Sequence, residues 1–211
     1  MSGMITFYGH DTINSLKVLM LLMEADLPFK FNPINIRKGD QKTADFLAIN
    51  PAGKVPVIAD CGVVISESNA ILLQLANKTG WGHYAENHDQ ILPWLFYQAS
   101  TQGPFFGQVE YWSFLSPNPN PDTLAHCKSI AQRVISHLDD TLTNHPYCTG
   151  ETYSIADIAL FPWINKHTHL GLSLDTAEHV QRWLGEIHAR PGTQKTFEFL
   201  KPYRLPPLSR G

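Results

Sequence analysis

The sequence predicts an α/β domain of order β-α-β-α-β-β-α followed by an all-α domain, and three features carry that expectation. A strand, a helix and a second strand succeed one another within residues 5–36, a hairpin and a further helix follow within 57–78, and beyond a break at 80–85 every periodic segment is helical. Ile5-Thr6-Phe7-Tyr8 is a short apolar, aromatic run suited to a buried strand, and it stops at Gly9-His10-Asp11. From Ser15 onward Leu16, Val18, Leu19, Leu22 and Met23 recur at helical spacing, closing near Asp26-Leu27-Pro28. Phe29 to Ile36 reads as a second strand, parallel to the first because a helix lies between them as a right-handed crossover.

Asp45 to Ile49 forms a short helical turn. Val57-Ile58-Ala59-Asp60 and Val63-Val64-Ile65 are strands joined by the two-residue turn Cys61-Gly62, and Ser68 to Lys78 is a helix rich in Leu and Ala. Gly80-Trp81-Gly82-His83-Tyr84-Ala85 breaks the pattern and is the expected linker, giving domains at 1–79 and 86–211. Helices are expected over 88–112, 122–143, 154–169 and 176–190, with breaks at the proline-rich 116–121 and at Asn144-His145-Pro146.

Composition narrows function. At 211 residues, 43% hydrophobic and a formal charge of −3, the chain can bury a substantial core but carries no field that would draw in nucleic acid or an acidic membrane surface. No apolar run approaches the roughly 20 residues of a membrane span, and the N-terminus lacks the pattern of a signal peptide. Three cysteines, Cys61, Cys127 and Cys148, without C-x-x-C spacing or neighbouring histidines, point to a reducing, cytoplasmic setting and to no metal. No cysteine stands at the start of the first helix, so a protein-based dithiol mechanism lacks its nucleophile.

Several junctions have the chemistry of a binding site. Glu67-Ser68 falls where a strand hands over to a helix, so N–H groups and the positive helix end invite a carboxylate there, with the Ser68 hydroxyl adding a hydrogen bond and Glu67 accepting from an ammonium. The plainer alternative is that Ser68 only caps the helix. Thr12 and Asn14 enter the first helix as polar donors, and at least one of Thr12, Asn14 and Ser15 also serves as its cap. Tyr8 is a rival donor, although its place within a strand favours a buried aromatic. Gly103-Pro104 interrupts a long helical pattern and should kink it, letting Phe105, Phe106, Tyr111 and Trp112 line an apolar pocket or else join the core. Ser154 and Asp157, flanked by Tyr153 and Ile158, form a capping arrangement that serves folding.

The element order and the motifs together resemble the cytosolic glutathione transferases, over nearly the whole chain. Asn50-Pro51-Ala52-Gly53-Lys54-Val55-Pro56 is similar to that family's N-P-x-G-x-V-P segment, and Glu67-Ser68 to its E-S pair. Thr12-Ile13-Asn14 and the run Thr101 to Gln108 resemble the nu class, known for disulfide-bond reductase activity.

The resemblance implies a thioredoxin-like first domain, a helical-bundle second domain, a homodimer and glutathione as co-substrate. It implies a cis Val55-Pro56 bond, with Val55 pairing through its backbone to the cysteinyl part of glutathione and Glu67 and Ser68 holding the γ-glutamyl part. Gln41 and Lys54 are candidates for the glycyl carboxylate and Arg133 for a further contact, while Thr12 and Asn14 would stabilise the glutathione thiolate as the catalytic donors. The expected activity is transfer of glutathione to a small electrophile or reduction of a small disulfide, with a non-catalytic binding or regulatory protein of the same fold as the alternative.

Overall fold

The computed structural model describes residues 4–209 and divides the chain into two compact units, residues 4–81 with 189–205 and residues 82–188 with 206–209. The first unit opens with β1 (Ile5–Gly9), α1 (Ile13–Glu24), β2 (Phe29–Pro33), α2 (Ala44–Ile49), β3 (Val57–Asp60), β4 (Val63–Ser66) and α3 (Ser68–Thr79). The sheet order is β2-β1-β3-β4, with β1 parallel to β2 and antiparallel to β3, and β4 antiparallel to β3. This is the thioredoxin-like arrangement that the sequence pattern implies.

Local chemistry sets the boundaries. Thr12 is extended and its hydroxyl accepts from the Ser15 N–H at 3.2 Å, so α1 starts at Ile13, two residues earlier than the apolar periodicity shows. The second strand ends at Pro33 rather than Ile36. The Ile34 N–H makes the last bond to β1, at Gly9 O, and past it Asn35 Oδ1 accepts from the N–H groups of Arg37 and Lys38 while Asp40 Oδ2 accepts from that of Asn35, folding the chain into a turn.

The core of this unit lies between the sheet and α1 and α3. Phe7, Val57 and Ile58 from the strands meet Val18, Leu19, Leu21, Leu22, Ile71, Leu72 and Leu75, all essentially inaccessible to solvent. Each such side chain contributes about 1.5–3 kcal/mol by leaving water.

The helices continue with α4 (Tyr84–Tyr97), α5 (Gly103–Glu110), α6 (Pro121–Leu142), α7 (Ile155–Asn165), α8 (His167–Leu170), α9 (Glu178–Ala189) and α10 (Pro191–Leu200). The sequence grouped residues 86–211 together, but Ala189–Leu205, including α10, belongs to the first unit. There Phe199 and Tyr203 stack edge-on against Phe31 at 5.3 and 5.0 Å, and Arg190 grips the Glu24 carboxylate with two bonds of 3.0 and 2.7 Å. Gly192 makes room for that carboxylate, since a Cβ at this position would lie 2.6 Å from Glu24 Cδ.

In the second unit helical backbone runs from residue 84 to 115, straight through the sequence position of Gly103-Pro104 and in keeping with the helix expected over 88–112. A widened π-turn, Gln98–Gln102, precedes the proline, and the Gly103 N–H bonds back five residues to Gln98 O. Such a widened turn accommodates an irregular hydrogen-bond ladder, which Pro104 imposes by lacking an N–H. Gly103 is needed as well, because a Cβ there would come within 3.0 Å of Gln98 O.

Helix α7 is buried along nearly its whole length and forms the centre of this unit. Its first turn carries the expected capping box: Ser154 Oγ accepts from the Ala156 N–H, and Asp157 Oδ2 accepts from the Ser154 N–H at 2.9 Å. Among the described residues no helix is long and apolar enough to cross a membrane.

Candidate functional site

A cleft of about 280 Å³ in the first unit is lined by Asn14, Asn50, Lys54, Val55, Pro56, Ser66, Glu67 and Ser68. Three junctions build it: the first turn of α1, the loop entering β3, and the passage from β4 to α3. In the loop, Asn50 is the brace. Its side-chain N–H donates to Lys54 O at 2.8 Å and its Oδ1 accepts from the Ala52 N–H at 3.3 Å, while the Gly53 N–H bonds back to Asn50 O. Gly53 adopts φ +60°, which a side chain would strain. The Val55–Pro56 bond is cis, as the resemblance implies.

At the third junction Glu67 also sits at positive φ, +69°, and Ser68 begins α3. Among the described residues Glu67, at the cap position, makes no side-chain capping bond to this helix, whereas Thr12, Thr43, Asn120 and Ser154 cap α1, α2, α6 and α7. The positive end of α3 therefore meets the cleft with the Ser68 hydroxyl beside it, an arrangement suited to an anionic group.

Behind Ser68 lies a residue that sequence reasoning passed over. Lys17, in the middle of α1, is 1% exposed, and its ammonium donates to Ser68 Oγ at 3.4 Å and Asn69 Oδ1 at 3.5 Å. Burial lowers its pKa to about 7, partly countered by the negative charge of Glu67. The signal was a lone charge within the apolar run Leu16 to Met23, where one face of an otherwise apolar helix has no solvent to offer.

The remaining sequence candidates fall as follows. Thr12 spends its hydroxyl locally, donating to Ser15 Oγ at 2.8 Å while accepting from the Ser15 N–H, whereas Asn14 opens onto the cleft. Gln41 sits beside Gly53, and its Oε1 is buried with no hydrogen-bond partner among the described residues. Tyr8 lies edge-on to Phe46 and is not among the residues lining the cleft.

Arg133 is exposed on α6 of the second unit. Phe105 is half-buried, and Tyr111 and Trp112 are partly exposed and edge-on to each other at 5.2 Å. Of the two readings left open for these aromatics, Phe106 takes the second: it is wholly buried, with its ring facing Trp163, and joins the helical core. A broader, open groove of about 620 Å³, lined by residues of 167–184, contains none of the sequence candidates.

Two of the protein's three thiols are buried, and none is among the residues lining the cleft. Burial raises the Cys127 thiol, and burial beside Asp157 pushes the Cys148 thiol well above its usual range, while Cys61 sits exposed in the β3–β4 turn. Among the described residues no cluster of His, Cys, Asp and Glu could hold a metal ion.

Family models place this architecture. Residues 13–78 match the glutathione S-transferase N-terminal domain and residues 104–191 its C-terminal domain. The chain belongs to the glutathione S-transferase family. It is similar to the disulfide-bond oxidoreductase YfcG of Escherichia coli K12, at 37% identity over 199 residues, covering 90% of this chain and 93% of that protein.

Among solved structures it resembles the glutathione transferase URE2P6 of Phanerochaete chrysosporium in complex with oxidised glutathione, with TM-score 0.88, 25% identity, and 95% of this chain and 97% of that one covered. It also resembles a glutathione transferase of Burkholderia graminis with two glutathione molecules bound per subunit, with TM-score 0.87, 28% identity, and coverage of 94% and 89%.

Proposed function

We propose that this family member binds glutathione in the first-unit cleft and uses the bound thiolate to reduce small disulfides. The observation that carries this reading is the convergence of Asn14, Lys54-Val55-Pro56 and Glu67-Ser68 on one cleft at the uncapped start of α3. The Val55 backbone pairs with the cysteinyl unit of the ligand. Glu67 accepts from its ammonium, and Ser68 with the end of α3 receives the γ-glutamyl carboxylate. Lys54 and Gln41 serve the glycyl end.

Asn14 supplies the thiolate donor, and Thr12 fixes the loop that presents it. Hydrogen bonds to sulfur favour the anion and so lower the thiol pKa. The thiolate attacks one sulfur of the substrate disulfide and expels the other as a thiol; a second glutathione then resolves the mixed disulfide, giving oxidised glutathione. The named activity of the Escherichia coli relative and the two glutathione molecules in the Burkholderia relative support reduction over transfer to an electrophile. The buried or remote cysteines of the chain support glutathione as the source of the reactive sulfur.

The same reading includes the nu class, a cytoplasmic setting and a homodimer. The exposed Val64 of β4 and the 68%-exposed Phe96 of α4 are apolar surface that a twofold partner would cover. A paired assay with glutathione, one arm using a model aryl halide and the other a small hydroxyalkyl disulfide, tests the activity. Turnover of the disulfide well above that of the halide is expected, and turnover of the halide alone would reverse the assignment.

A further inference from the structure

Lys17 is an expensive residue to bury. An apolar side chain would satisfy the packing of α1, while an ammonium deprived of water costs several kcal/mol unless it is well paired. Its pairing is weak: both partners are neutral oxygens at 3.4 and 3.5 Å, whereas Lys78 of the same unit meets the Asp60 carboxylate at 2.6 Å. One of those two oxygens, Ser68 Oγ, belongs to a residue that lines the cleft.

A serine hydroxyl has one proton and can accept as well as donate. While the ammonium donates to Ser68 Oγ, the serine proton is free to point into the cleft; once the amine is neutral, its lone pair can draw that proton inward and leave only lone pairs facing a ligand. We propose that Lys17 is a positioning residue of the glutathione subsite, its proton turning the Ser68 hydroxyl outward as a donor to the γ-glutamyl carboxylate. This rests on the glutathione reading of the cleft.

The surroundings allow the switch to operate near neutrality. With a pKa of about 7, both forms of Lys17 are populated at physiological pH. Helices α3 and α10 pack on α1. The β4–α3 junction presents the Glu67 carboxylate, and α3 itself the neutral Ser68 and Asn69. Arg190 and Lys195 are tied to Glu24 and Asp26 at the far end of α1, and Glu198 pairs with Lys201. A ligand carboxylate at Ser68 adds a second negative charge and raises the lysine pKa, so binding above pH 7 takes up a proton and affinity falls as pH rises through the window between free and bound pKa values.

The probe is S-methylglutathione, whose sulfur cannot titrate, beside an analogue lacking only the γ-glutamyl α-carboxylate. Calorimetry between pH 6 and 8, in buffers of different ionisation enthalpy, measures affinity and proton uptake together. For the parent protein, uptake on binding S-methylglutathione at pH 7.5 and none with the analogue is expected.

Lys17→Met, checked for folding by circular dichroism, should bind about tenfold more weakly at pH 6.5, the scale of one charge-assisted contact, and show no uptake. Parent binding without uptake, or Lys17→Met matching the parent in affinity and pH profile, overturns the lysine role while leaving the site intact. The parent-protein uptake decides the matter alone if Lys17→Met does not fold. Failure of the parent to bind S-methylglutathione at millimolar concentration would instead sink the glutathione reading itself.

Discussion

Replacing Asp157 with Ala should remove much of the stability of the helical unit. Asp157 is fully buried and its carboxylate accepts four bonds: from the Cys148 N–H at 2.9 Å, the Trp183 indole N–H at 3.0 Å, the Ser154 N–H at 2.9 Å and the Ser154 hydroxyl at 3.1 Å. In the variant the hydroxyl can turn elsewhere, but three N–H donors lose their acceptor. Each orphaned buried donor costs about 1–3 kcal/mol, and loss of the cap adds about 1 kcal/mol.

Against this, burial raises the carboxyl pKa despite its hydrogen bonds, so removing the buried charge returns part of the cost. The net expectation is a loss of about 4 kcal/mol, a large share of the roughly 5–15 kcal/mol that holds a domain folded. Urea unfolding followed by tryptophan fluorescence, with buried Trp183 as a reporter, measures it. A loss under about 1 kcal/mol would refute the claim that this carboxylate organises the 148–157 segment and α9.

Other consequences concern the first unit. Thr12→Ala should lower stability by about 1 kcal/mol through the lost cap of α1, read by thermal melting. Asn14→Ala should instead lower disulfide reductase turnover by about 10²–10³-fold, the scale for losing a thiolate donor, with glutathione affinity nearly unchanged; equal turnover in Asn14→Ala and the parent would remove Asn14 from thiol activation.

Lys17 should leave a pH signature in stability. Its folded pKa, about 7, lies below the unfolded value of 10.5, so between these limits the unfolded chain holds a proton that the folded chain lacks, and stability rises with pH by up to about 1.4 kcal/mol per unit. Urea titrations from pH 6.5 to 9.5 should show this slope in the parent and lose it in Lys17→Met; identical slopes would contradict the burial of the charge.

The parts of the fold that were legible are those where one local rule acts alone. Alternating and periodic apolar residues mark β1, α1 and α3, the Cys61-Gly62 turn marks the hairpin, and Ser154 with Asp157 marks the start of α7. The π-turn before Gly103-Pro104 was not legible, because a hydrogen bond reaching back five residues is a solution that local propensity does not encode.

Helix α10 escaped because its stability comes from Phe31 and Glu24, more than 160 residues away in sequence. The site was legible as motifs, Lys54-Val55-Pro56 and Glu67-Ser68, because a turn and a strand-to-helix junction have recognisable residues. Lys17 was not, since its significance lies in a contact to Ser68 that only the packing of α1 on α3 creates.

The central claim is that glutathione binds at the start of α3. Titration calorimetry of glutathione into the parent and into a Glu67→Ala, Ser68→Ala double variant tests it most directly. Two charge-assisted contacts of roughly 1.5–3 kcal/mol each are removed, so the account predicts saturable binding to the parent and a loss of about 3 kcal/mol or more, over a hundredfold in Kd. A folded double variant that binds glutathione as tightly as the parent would contradict it.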